Sequence, residues 1–157
     1  TRLGRGTTFR VYLPACQAGE EKAVQDRIIP DTPEGRGEII LLVEDNDVMR
    51  RASQDVLESL DYQVLTAANG KEALEIYQAA EKIDLVLTDV MMPEMGAIEL
   101  IQQLRKKEPA LKAIAITGYL LAEDQDELKK EGILDVVYKP LDIDTLAKVV
   151  RHALDVD

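Results

Sequence analysis

Cysteine, histidine and aromatic residues are scarce in this sequence: one Cys, one His, one Phe, no Trp and 4% aromatic residues in all. Cys16 alone cannot form an internal disulfide, which fits a reducing compartment and leaves it an idle residue. Long hydrophobic runs are missing too. No apolar stretch approaches the roughly 18 residues a bilayer requires, and no charged-then-apolar leader opens the chain. A cytoplasmic location without membrane contact by these residues is expected. Basic charge is the third shortage, with 19 Lys and Arg against 30 Asp and Glu and a net charge of −11. The deficit is regional: residues 1–37 hold six basic and five acidic residues, so residues 38–157 hold thirteen against twenty-five, about −12. A phosphate backbone needs a basic face, so nucleic acid is excluded as a partner, and cations or proteins are favoured.

What is present divides near Gly37. Five of the nine Gly and three of the six Pro fall in residues 1–37, where only Thr8 to Leu13 (TFRVYL) alternates like a strand and EEKAVQDRII suits a short helix. Beyond Gly37, apolar runs alternate with helix-period segments: IILLV (39–43), helix 46–60, YQVLTA (62–67), helix 71–81, DLVLT (84–88), helix 97–107. AIAIT (113–117), helix 122–131, ILDVVY (133–138) and helix 143–155 complete the series. Strict strand and helix alternation implies an α/β fold with a parallel sheet covered on both faces. IILLV and DLVLT, apolar on both side-chain parities, suit central strands.

All strands of such a sheet finish at one edge, where ligands bind. Strand 1 runs into Glu44 and Asp45, strand 3 into Asp89, strand 4 ends on Thr117, and strand 5 runs into Lys139 and Pro140. Asp89 is expected to leave the core there and meet the other acids. Two carboxylates about 4 Å apart repel by roughly 4 kcal/mol at an effective dielectric of about 20, so a proton or a cation is needed between them. Mg²⁺ suits an all-oxygen cluster and keeps waters that a phosphate can replace. Such a site could accept a phosphoryl group on Asp89, with Thr117 and Lys139 neutralising its oxygens. Singly, each residue also suits a plainer role: a solvated turn, a helix cap, a surface lysine.

In LLVEDND, LTDVMMPEM, AIT and VVYKP, in that order and spacing, residues 38–157 resemble the receiver domain of two-component response regulators. The resemblance implies a flavodoxin-like (βα)5 doubly wound sheet in the order 2-1-3-4-5. It makes Glu44, Asp45, Asp89 and the backbone carbonyl of Met91 Mg²⁺ ligands, and Asp89 the phosphoacceptor from a phosphohistidine protein. Thr117 becomes the switch hydroxyl and Lys139 the phosphoryl-binding lysine, with a cis bond to Pro140. The aromatic that many receivers carry three positions before the lysine is Val136 in this chain, with Tyr138 two residues later, and Gly96–Ala97 stand where Asp-Gly is common.

LGRGTTFRVYLPA is similar to the last glycine box and final strand of a histidine-kinase ATP-binding domain. The order kinase remnant (1–18), linker (19–37), receiver (38–157) is that of a hybrid histidine kinase, itself free to be membrane-anchored, in a phosphorelay. The strand in 1–18 is expected to support a homodimer by pairing outside its lost sheet. Whether this piece counts as an enzyme is left open; alternatives are a docking module that is never phosphorylated and a Mg²⁺-dependent aspartyl-phosphate hydrolase. Among lesser features, His152 reads as a surface residue, Asp47 as a helix-start acid, Arg105 to Lys107 as a solvated helix end, and Met91 and Met92 as loop packing. Met91 and Tyr119 flank the expected phosphoryl site and offer it cover.

Overall fold

The computed structural model describes residues 32–118 and 122–156, together with Arg10 and Tyr12. The chain separates into two units, Thr1–Pro30 and Asp31–Asp157. The expected strand at Thr8 to Leu13, Cys16 and Tyr119 lie outside the described residues, apart from Arg10 and Tyr12.

In the second unit β1 (Ile39–Val43), β2 (Gln63–Ala67), β3 (Leu85–Asp89), β4 (Ala113–Thr117) and β5 (Asp135–Tyr138) alternate with five helices. These are α1 (Asp47–Ser59), α2 (Gly70–Ala79), α3 (Ala97–Arg105), α4 (Ala122–Lys130) and α5 (Ile143–Asp155). All strand pairs are parallel, in the order β2-β1-β3-β4-β5. Because successive strand residues point to opposite faces, the apolar runs feed two cores at once. Leu41, Val43, Val86, Ala113 and Ala115 pack with Ala73, Leu100, Ile101, Leu104 and Leu128 of α2, α3 and α4. Ile40, Leu42, Leu85, Leu87, Ile114 and Ile116 pack on the other face with Leu57 of α1 and Leu146, Ala147 and Val150 of α5. Each fully buried Leu or Ile contributes about 1.5–3 kcal/mol through apolar area removed from water. β1, β3 and β4 have neighbours on both sides, and β3 and β4 are buried throughout. The edge strands β2 and β5 alternate or stay half-exposed.

Element ends depart from the sequence reading where caps intervene. Asn46 is not helical but caps α1, its side chain accepting from the amides of Val48 and Met49. The run from Ile133 is not yet strand, because a Schellman turn closes α4 first. Gly132, at φ +84°, donates to Lys129 O and Ile133 donates to Leu128 O, while the Leu128 and Ile133 side chains meet in the core. Arg105 is not solvated as its charge suggested. Its Nη2 donates to Leu111 O and Gly132 O, both at 2.8 Å. The guanidinium fills the space where a side chain at Gly132 would begin.

Gly132→Ala should therefore destabilise the fold by about 2–4 kcal/mol, from the left-handed backbone plus the displaced charge-assisted hydrogen bonds. Urea denaturation measures this, and the cost should shrink in an Arg105→Ala background because the two residues share one contact. A loss below about 0.5 kcal/mol would place the substitution among ordinary surface changes and refute the role given to the Arg105–Gly132 contact.

Candidate functional site

The register decides what meets what. Val43 pairs with Thr88, so Glu44, one residue further, stands beside Asp89. Asp89 pairs with Ile116, which puts Thr117 just beyond it, and Thr117 pairs with Tyr138, which puts Lys139 one step further out. The chain turns from β1 to β2 on one side and to β3 on the other, so the crevice between β1 and β3 is where strand order reverses.

Glu44, Asp45 and Asp89 each bring a carboxylate oxygen within 4.8 Å of the others. Glu44 and Asp89 are 2% and 6% exposed, and Asp45 faces solvent. Asp89 does not leave the core as the sequence suggested; it is the last residue of β3, still in the ladder, with only its carboxylate reaching the crevice. Lys139 Nζ lies 2.7 Å from Glu44 Oε2 and 2.6 Å from Asp89 Oδ2. Asp89 Oδ1 accepts from the Met91 amide at 3.1 Å. Burial pushes the Lys139 ammonium toward losing its proton, but the hydrogen bonds and charges of Asp89 and Glu44 outweigh it and raise the lysine above its ordinary range. Three carboxylates and one ammonium leave two negative charges in the crevice, a match for one divalent cation with oxygen ligands.

Thr117 is fully buried, and its carbonyl accepts from the Lys139 amide at 2.8 Å. The Lys139–Pro140 peptide bond is cis. Met91 and Met92 separate: Met92 enters the core and Met91 is 75% exposed, so only the second is loop packing. His152 is exposed in the last turn of α5. Tyr138 is 48% exposed and bonded to Gln125, and Val136 packs against the core. A cavity of about 460 Å³ opens elsewhere, lined by Tyr77, Lys82, Asp84, Lys107, Glu108 and Lys112. It lies at the amino edge of the sheet and holds none of the strand-end acids.

Two residues near the crevice do not stand out in the sequence. The Asn46 amide donates to Glu44 Oε1 at 3.4 Å, and Arg50 Nη1 donates to the Glu44 carbonyl at 2.8 Å. A polar residue before a helix could have flagged Asn46, whereas a side chain bonded to a carbonyl leaves no trace in sequence.

A doubly wound parallel sheet with an acid cluster and a lysine at its switch point defines a class of proteins, and the comparisons name the family. Residues 40–151 match the response regulator receiver domain, and the chain belongs to that family. It is 34% identical over 164 residues to the sensor kinase CckA of Brucella abortus (strain 2308), across 99% of this chain and 17% of that protein. The chain spans less than a third of the length of the first curated relatives it matches. Among solved structures, a CheY-like receiver domain protein from Methanospirillum hungatei JF-1 superposes with TM-score 0.71 at 28% identity, covering 76% of this chain and 94% of that one. The response regulator TrrA of Thermotoga maritima, in complex with Mg(2+)-BeF, gives TM-score 0.67 at 29% identity, covering 74% of this chain and 98% of that one. No helix among the described residues is long and apolar enough to cross a membrane.

Proposed function

We propose that residues 38–157 take a phosphoryl group from a phosphohistidine onto Asp89, as the receiver of a hybrid histidine kinase. Residues 1–18 would then be the end of its ATP-binding domain and 19–37 a linker. The observation that carries the reading is the Lys139 ammonium between Asp89 and Glu44, with Asp45 completing the acid cluster. The match to a sensor kinase along nearly the whole chain supports the hybrid arrangement.

A carboxylate oxygen of Asp89 attacks phosphorus, the N–P bond of the donor breaks, and its electron pair stays on the imidazole nitrogen, which takes up a proton. Lys139 moves from its carboxylate partners onto the phosphoryl oxygens, and the Thr117 hydroxyl serves as a second donor. Glu44, Asp45, Asp89 and the Met91 carbonyl would hold Mg²⁺, which supplies positive charge against the phosphoryl oxygens; the acid set fits it, and the TrrA structure is a complex with Mg(2+)-BeF.

The test offers the chain phosphoramidate, whose N–P bond mimics phosphohistidine, and p-nitrophenyl phosphate, with and without EDTA. Phosphoramidate should label the chain only when Mg²⁺ is free, and the ester should not be turned over. Absence of labelling by a folded chain would favour the docking module, and sustained ester hydrolysis would favour the hydrolase.

A further inference from the structure

Glu44 is the point where β1 stops being held by the sheet. Its amide still donates to Ala67 O of β2 at 3.1 Å, and its carbonyl accepts from Arg50 of α1 at 2.8 Å. The other guanidinium nitrogen is ion-paired with Asp47, and the Arg50 side chain is 17% exposed. The Arg50 fork thus bridges the last residue of the strand exit and the first residue of the helix, and Glu44, Asp45 and Asn46 are the arc it spans. Asp45, in the middle of that arc, has no such anchor of its own among the contacts described, yet its carboxylate must reach within 4.8 Å of Glu44 and Asp89.

Resting on the phosphoacceptor reading above, we propose that Arg50 is a positioning residue. It fixes the path of Glu44–Asp45 so that both carboxylates are aimed at one cation, without itself touching the cation or the phosphoryl group. The choice of arginine makes this testable by sign. A guanidinium near a cation site repels the cation, and Asp47 offsets that repulsion by pairing with it. If Arg50 acted only through its charge, removing it would tighten Mg²⁺ binding. If it acts by holding the arc, removing it weakens Mg²⁺ binding, because the acids lose their common aim. Lysine keeps the charge but cannot reach two acceptors with a planar fork.

The experiment is a calorimetric Mg²⁺ titration of the whole chain and its Arg50→Met and Arg50→Lys variants, with phosphoramidate labelling followed at rising Mg²⁺. Both variants should bind Mg²⁺ about tenfold more weakly, the usual scale for losing a residue that orients metal ligands. Their labelling rates at saturating Mg²⁺ should approach the parent's, since Asp89, Thr117 and Lys139 are untouched. Unchanged or tighter Mg²⁺ binding by either folded variant would overturn the proposal, as would a labelling rate that stays low at saturating Mg²⁺. Should Arg50→Met fail to fold, Arg50→Lys decides the same question by itself. If the parent binds Mg²⁺ but takes no label, the phosphoacceptor reading fails, and the Mg²⁺ titrations still decide on Arg50.

Discussion

Asp89→Asn should reduce labelling by phosphoramidate or acetyl phosphate to background while leaving the fold intact. The carboxamide has the shape of the carboxylate, keeps an oxygen for the Met91 amide that now lies 3.1 Å away, and leaves no void at a position only 6% exposed. What it loses is the negative charge that makes the oxygen a nucleophile. Removing one of three neighbouring acids relieves repulsion, while Lys139 loses its 2.6 Å contact with Asp89 Oδ2 and keeps Glu44, so the two effects oppose and the change in stability in EDTA should be small. Incorporation of radiolabelled phosphoryl groups, with circular dichroism as the folding control, gives the answer. Label retained by the variant, even at a reduced rate, would place the acceptor elsewhere.

Lys139→Ala should separate Mg²⁺ binding from phosphoryl transfer, both of which draw on the Asp89 carboxylate. The ammonium contacts Glu44 and Asp89 at 2.7 and 2.6 Å, so taking it away leaves three acids with nothing between them. Mg²⁺ binding should therefore tighten. Labelling should nevertheless slow by about 100- to 1,000-fold, the usual cost of one preorganised donor to a developing charge. A group whose folded pKa is raised stabilises fully below its ordinary value and loses that stabilisation as pH rises through the raised one. Lys139 is such a group, so between about pH 6 and pH 9 its charge should contribute no pH dependence to the parent's rate. Titrating Mg²⁺ and measuring initial labelling rates checks both halves. Weaker Mg²⁺ binding together with an unchanged rate would show that the lysine has only a structural part.

The strands are legible in the sequence because their signal is local. IILLV and DLVLT are apolar on both parities, and the sheet buries both of their faces. The order 2-1-3-4-5 comes from the family resemblance, because alternation alone fixes that a sheet is parallel and not which strands are neighbours. Placing Glu44, Asp89, Thr117 and Lys139 at one edge also follows from alternation, since every parallel strand ends on the same side. Arg105 reads wrongly as solvated because its partners, the carbonyls of Leu111 and Gly132, are a property of the path of the chain and not of any side chain. The same reason hides the Arg50 contact with the Glu44 carbonyl, although its pairing with Asp47 three residues earlier is a spacing the sequence does show. Met91 reads wrongly as loop packing because two adjacent methionines look alike in sequence, while the turn after β3 sends Met92 into the core and Met91 into solvent.

The central claim is that a phosphoryl group comes to rest on Asp89. Treating the phosphoramidate-labelled chain with sodium borohydride reduces an acyl phosphate to an alcohol and so marks the acceptor permanently. Peptide mass mapping should then find homoserine in place of aspartate at position 89 and at no other acid, with nothing converted when Mg²⁺ is withheld. Conversion at Glu44 or Asp45, or none in a chain that carries phosphate, would contradict the account.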